Sequence, residues 1–88
     1  MAQTHQIDIT AMAFPANTGV APGDTVRWTN KTGMTHTVTS DSTPPLFDSP
    51  DLASDQSFSH TFGTAGSFPY HCKKHPARMK GTVTVKDG

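Results

Sequence analysis

Apolar residues in this chain recur two apart and nowhere hold a helical spacing. Ile7 and Ile9, Val26 and Trp28, Phe68 and Tyr70, and Val83 and Val85 form such pairs, and Phe58 and Phe62 share a face in the same way. Successive residues of an extended segment point to opposite sides, so each pair marks the inward face of a strand. No window of helical length keeps an apolar stripe at spacing three to four, and Pro, Gly, Asn and Asp separate the pieces. The pattern predicts strands at 6–10, 24–30, 35–40, 56–62, 67–72 and 81–86, with a short one at 18–20. The fold expected is all-β: a Greek-key two-sheet β-sandwich or barrel of about six to eight strands.

Residues 41–55 contain Pro44, Pro45 and Pro50 and have no clear period. They read as a long loop with one helical turn at 49–53, where Ser49 caps and Pro50 takes the first helical position. Residues 11–22 form another connection, and Gly23-Asp24 is a turn leading into the Trp28 strand. Pro69 has no amide hydrogen and needs a sheet edge or a bulge. With no internal repeat, residues 1–88 read as a single domain.

A chain of 88 residues buries only about three fifths of the surface its unfolded form exposes, so a further staple helps it. Cys72 has no second cysteine to pair with, which leaves a metal or an oligomer as the remaining devices. Seven acids, all Asp, balance seven Lys plus Arg, so net charge draws the chain to neither nucleic acid nor a membrane surface. The charges are unevenly distributed. Asp41, Asp48, Asp51 and Asp55 lie in the middle third, while Lys73, Lys74, Arg78 and Lys80 cluster later. No apolar run approaches the roughly twenty residues of a membrane span, and the first residues lack the charged and apolar regions of a signal peptide.

The cluster of cations falls inside "YHCKKHPARMKG", residues 70–81. Cys72 continues the inward phase of Phe68 and Tyr70, and His75 follows after two residues. Met79 lies in the same loop. His36, within "GMTHTVTS", shares a face with Val38 and supplies a fourth group from the same end of a sandwich. A thiolate, two imidazoles and a thioether are the donor set of copper electron-transfer sites: Cys and two His lie in a plane and Met binds weakly along the axis. Plainer roles exist for each. His36 alone reads as an interior histidine and Met79 alone as core filler. Met34 is the rival sulfur, expected to pack near the site or on an apolar surface around it. His71 points away from Cys72 and is expected to be exposed, His60 to be half-buried and structural, His5 to be solvated, and Trp28 to be core. Zinc competes for Cys and His, but a methionine ligand is unusual for it.

"PGDTVRWTN", "THTV" and "FSHTFGTAGSFPYHCKKHPARMKGTVTV" together resemble the cupredoxins, the type 1 blue copper proteins of the plastocyanin, amicyanin and pseudoazurin group. The resemblance covers nearly the whole chain. It implies one copper ion cycling between Cu(II) and Cu(I), with His36, Cys72 and His75 as equatorial ligands and Met79 as the axial one. Three residues separate His75 from Met79, intermediate between the shorter and longer loops of the group. Thr37 stands where many members have Asn: its amide is expected to donate to the Cys72 sulfur, with its side chain tying the loops differently.

The resemblance further implies a periplasmic or otherwise exported location and an electron carrier without substrate turnover. Redox partner proteins would dock at the His75 edge, on an apolar patch supplied by Pro76 and Ala77 with Met12, Phe14 or Met34. Lys73, Lys74, Arg78 and Lys80 imply an acidic surface on the partner. The chain is expected to act as a monomer with no membrane span. Two competing functions are copper delivery or storage, using the same soft ligands, and a cysteine-nucleophile enzyme with His36 or His75 as base. The motif contains no evident orienting acid or oxyanion donor for the latter.

Overall fold

The computed structural model describes residues 2–10, 13–42 and 45–86, which form seven strands and no helix. In chain order these are β1 (Thr4–Ile9), β2 (Thr18–Val20), β3 (Asp24–Asn30), β4 (Thr39–Ser40), β5 (Ser57–Phe62), β6 (Gly66–His71) and β7 (Lys80–Val85). They make two sheets, ordered β1-β3-β5 and β2-β7-β6-β4. β1 runs parallel to β3 and β2 parallel to β7, while the β3–β5, β6–β7 and β4–β6 pairs are antiparallel. The all-β, two-sheet expectation is therefore met, and β2 and β3 have the bounds read from the sequence.

The inward pairs meet between the sheets. Ile7, Ile9, Val26 and Trp28 come from one sheet, and Tyr70, Val83 and Val85 from the other; all are buried. Trp28 sits at the centre, its ring centroid 5.7 Å from Phe47, 6.1 Å from Phe58 and 5.3 Å from Tyr70. Burying an aromatic of this size removes about 150–250 Å² from water, so this cluster dominates a thin core. Phe14, expected on a surface patch, is instead buried edge-on against Tyr70 at 4.8 Å. Met12 falls outside the described residues.

Two local expectations are corrected. Only Thr39 and Ser40 of 35–40 are strand, and no helical turn forms at 49–53. Both differences have one cause: residues 47–52 lie extended against 36–40. Ser40 N donates to Phe47 O (2.8 Å), Ser49 N to Val38 O (2.9 Å) and Leu52 N to His36 O (2.8 Å), and His36 N returns to Leu52 O (3.1 Å). The Ser49 hydroxyl, available in sequence as a helix cap, accepts the Val38 amide at 2.8 Å instead. Phe47 and Leu52 thereby reach the core, a burial that outweighs a single helical turn.

Pro69 lies in β6, which is paired on both sides. Its carbonyl accepts Asp41 N at 2.9 Å, just beyond the end of the two-residue β4. A strand residue's nitrogen and carbonyl point the same way, so the missing amide hydrogen faces the place where the neighbouring strand stops. The predicted turn before β3 is present, with Gly23 at φ +92°, a conformation glycine adopts without steric cost.

At the start of β3, Asp24 is buried and accepts Gln3 N (2.9 Å), Ala21 N (3.1 Å) and His5 Nε2 (2.8 Å). His5, expected to be solvated, is thus half-buried and hydrogen-bonded to this carboxylate. The bond from His5, followed by those from the two amides, pulls the Asp24 carboxyl down to about 2.

Candidate metal centre

Two segments converge at the opposite end of β3. Cys72 follows the last residue of β6, Met79 precedes the first of β7, His75 lies in the loop between them, and His36 lies between β3 and β4. Tight backbone bonds fold the loop: His75 N donates to Cys72 O (3.1 Å), Arg78 N to His75 O (3.2 Å), and Met79 N to His75 O (2.9 Å). Cys72 N closes it by donating to Met79 O at 3.0 Å.

The side chains of His36, Cys72 and His75 each offer a ligand atom, and these atoms lie within 4.8 Å of one another. His36 Nδ1 is 3.8 Å from Cys72 Sγ, and the two imidazole rings are 5.7 Å apart. His36, Cys72 and Met79 are fully buried, whereas His75 is half-buried. His75 Nδ1 is buried without a hydrogen-bond partner among the described residues, and so is His36 Nε2. A buried polar atom without a partner is costly, and a metal would relieve that cost at His75. Burial, and next the nearby His75, lower the pKa of His36, which favours the neutral imidazole that a metal requires. Thiolate plus two imidazoles, with a thioether at hand, suits copper by softness. The residues present fit such an ion.

Around this set, Thr37 N–H donates to Cys72 Sγ at 3.4 Å, as anticipated. Its hydroxyl also ties the two loops, accepting the Lys73 amide at 2.9 Å. Asn30 is a residue the sequence reading passed over. Fully buried at the end of β3, it donates from Nδ2 to Met34 O (2.6 Å) and Leu52 O (2.8 Å), and its Oδ1 accepts Thr32 N (2.9 Å) and Thr32 Oγ1 (2.7 Å). It pins the turn leading to His36 against the covering segment. The hint in the sequence is a side-chain amide that continues the inward phase of Val26 and Trp28 at the end of the strand.

The remaining histidines stand apart. His71 points away from Cys72 and is half-buried rather than exposed, because it pairs with the Asp41 carboxylate. His60 is half-buried against Phe47 and Phe62, and burial lowers its pKa. The cation cluster is partly neutralised: Lys73 pairs with Asp48 (2.9 Å) and Lys74 with Asp51 (3.5 Å). Arg78 and Lys80 have no such carboxylate among the described residues. Pro76, Ala77 and Met34 are exposed.

Comparison with known proteins agrees with this geometry. The family described as "Copper binding proteins, plastocyanin/azurin family" matches residues 1–86. A plastocyanin of Scenedesmus fuscus is 33% identical over 90 residues, covering 90% of this chain and 92% of that protein. The amicyanin of Paracoccus denitrificans is 34% identical over 84 residues, covering 91% of this chain and 63% of that protein. Among solved structures, an oxidised amicyanin mutant superposes with a TM-score of 0.86 at 32% identity, covering 93% of this chain and 81% of its own. A Cu(I) amicyanin mutant also gives 0.86 at 32% identity, covering 94% and 82%.

Proposed function

Because this chain belongs to the plastocyanin/azurin family of copper-binding proteins, we propose that it carries single electrons between redox partner proteins, with His36, Cys72, His75 and Met79 as the residues that would hold the copper. The observation that carries this reading is the convergence of one thiol and two imidazoles at a buried point. When bound, copper supplies a one-electron couple, Cu(II)/Cu(I).

The chain's own residues do the rest. Cys72, His36 and Met79, all enclosed, keep water from the site. The Thr37 amide, directed at the Cys72 sulfur, draws charge from a thiolate and so favours the reduced form. The hydrogen-bonded loop limits movement of His75 and Met79 relative to Cys72, which keeps reorganisation between oxidation states small. On this reading the chain acts as a carrier rather than an enzyme, a role supported by its plastocyanin and amicyanin relatives.

His75, half-buried beside exposed Pro76 and Ala77, is the proposed exit for the electron. Arg78 and Lys80, which have no ion pair among the described residues, are the cations that would steer an acidic partner. Lys73 and Lys74 contribute less, since Asp48 and Asp51 offset them. Association should weaken as salt rises. Among the described residues no helix is long and apolar enough to cross a membrane, and the family supports an exported location such as the periplasm.

One equivalent of Cu(II) added to the metal-free protein tests the assignment. An intense thiolate-to-copper absorption is expected, lost in Cys72→Ser and shifted in Met79→Leu. A colourless product that still folds would overturn it. Copper that stays bound through repeated reduction and oxidation distinguishes a carrier from a delivery protein, which would release Cu(I) to an acceptor.

A further inference from the structure

Asp48 is outside the ligand set, yet it completes a circuit of contacts that begins and ends at Cys72. Lys73, the next residue after the cysteine, gives its amide to Thr37 Oγ1 (2.9 Å) and its ammonium to Asp48 Oδ2 (2.9 Å). The other carboxylate oxygen, Oδ1, accepts from Thr39 Oγ1 at 3.0 Å. Thr39 Oγ1 is 3.4 Å from Thr37 Oγ1, and the Thr37 amide returns to Cys72 Sγ. Thr39 and Asp48 are also bridged through their backbones. One carboxylate therefore grips both the residue leaving the cysteine and the segment that presents Thr37.

We propose that Asp48 is a positioning residue for the metal centre: by joining Thr39 to Lys73 it holds the Thr37 amide against the Cys72 sulfur and thereby favours the reduced state. The redox half of this statement rests on the electron-carrier reading; the positioning half does not. The side chains of Lys73 and Asp48 are 52% and 41% exposed, so their ion pair adds little to global stability. Its effect is local, on a hydrogen bond inside the circuit. A hydrogen bond to the cysteine sulfur is one of the features that tune such a site's potential.

Asp48→Ala and Asp48→Asn remove the same charge, but only the asparagine leaves an acceptor for Thr39, so comparing them separates geometry from Coulomb effects. Amide hydrogen exchange on the metal-free proteins is the first readout. In Asp48→Ala the Thr37 and Lys73 amides should exchange roughly fivefold faster, about the worth of one net hydrogen bond. The Cys72 amide and those of β3 should be unchanged, and Asp48→Asn should recover most of the protection. Loaded with copper and mixed with a one-electron mediator, Asp48→Ala should come to rest about threefold more oxidised than Asp48→Asn. Wild-type exchange at Thr37 in Asp48→Ala, or a uniform rise at every amide, would overturn the positioning role. Equal redox ratios for the two variants would overturn its redox consequence. Exchange is read without metal, so it decides the positioning role even where the wild type fails to bind copper, the result that would sink the carrier reading instead.

Discussion

The amide of Cys72 donates to the carbonyl of Met79 at 3.0 Å, locking the two sulfur-bearing ends of the loop together through the backbone. The bond needs no metal. The metal-free protein should therefore keep the loop closed, with the Cys72 amide protected from exchange and a circular dichroism spectrum close to that of the copper form. By mass action copper should add about 2.7 kcal/mol to the unfolding free energy at a free concentration one hundred times the dissociation constant, and so raise the melting temperature. Exchange of the Cys72 amide at the rate of an unfolded chain in the metal-free protein would contradict this account.

Acid should reach Asp24, at the far end of the sandwich, only after it has protonated ordinary carboxylates. Its carboxyl is held at about 2 in the fold against an ordinary 3.8, mainly by His5 and then by the Gln3 and Ala21 amides. A depressed carboxyl contributes stability that is complete above about pH 4 and is lost as pH falls through 2. Asp24→Asn removes the ionisation and should flatten the fall in urea midpoint between pH 4 and 2, while lowering stability at neutral pH. An acid limb identical to the wild type's would show that other carboxylates govern it.

Gly81 faces Tyr70 across β6 and β7. A Cβ there would stand 2.7 Å from the Tyr70 hydroxyl and 2.7 Å from Pro15 O, and the latter is backbone. Gly81→Ala should cost about 1–3 kcal/mol, the usual penalty of overpacking a filled core. It should lower the urea midpoint without altering the slope. A midpoint equal to the wild type's would mean that the connection carrying Pro15 yields freely.

Replacing Asn30 by Ala should be more harmful. The Met34 and Leu52 carbonyls would each lose one donor, keeping Thr32 Oγ1 and His36 N respectively, and Thr32 N and Oγ1 would lose their shared acceptor. A net hydrogen bond is worth about 0.5–1.5 kcal/mol, and all the bonds that Asn30 makes would be lost together. The turn before His36 would also loosen, so the variant should release copper to a chelator faster than wild type. Unchanged stability together with unchanged copper retention would remove Asn30 from the supporting frame.

Legibility in the sequence followed the physics of each segment. β3 alternates in burial along its first five residues between two neighbouring strands, so its bounds could be read directly. Cys72 and His75 are close in sequence, and a loop that short brings their side chains together. His36 needed its cover, and that cover is residues 47–52, whose prolines and lack of period concealed an extended partner. Ser49 shows the difficulty in miniature: its hydroxyl suits a helix cap, but the Val38 amide, distant in sequence, claimed it. Asn30, Asp24 and His5 were equally hidden, because their roles depend on which backbone groups a tertiary approach leaves unpaired. Lys73 and Lys74 counted as charge in the sequence, and only proximity to Asp48 and Asp51 reveals how much of it is offset.

The parallel pairing of β2 with β7, in which Thr18 meets Val83, has a consequence in time. A growing chain cannot complete this sheet until β7 has been made, and such distant pairings form slowly. The cysteine emerges before β7 does. For an interval it is an unsheltered thiol on an unfinished sandwich, open to oxidation or to whichever ion arrives first. The order in which the last strand docks and a metal arrives thus belongs to the cell that makes the protein as much as to the ligands themselves.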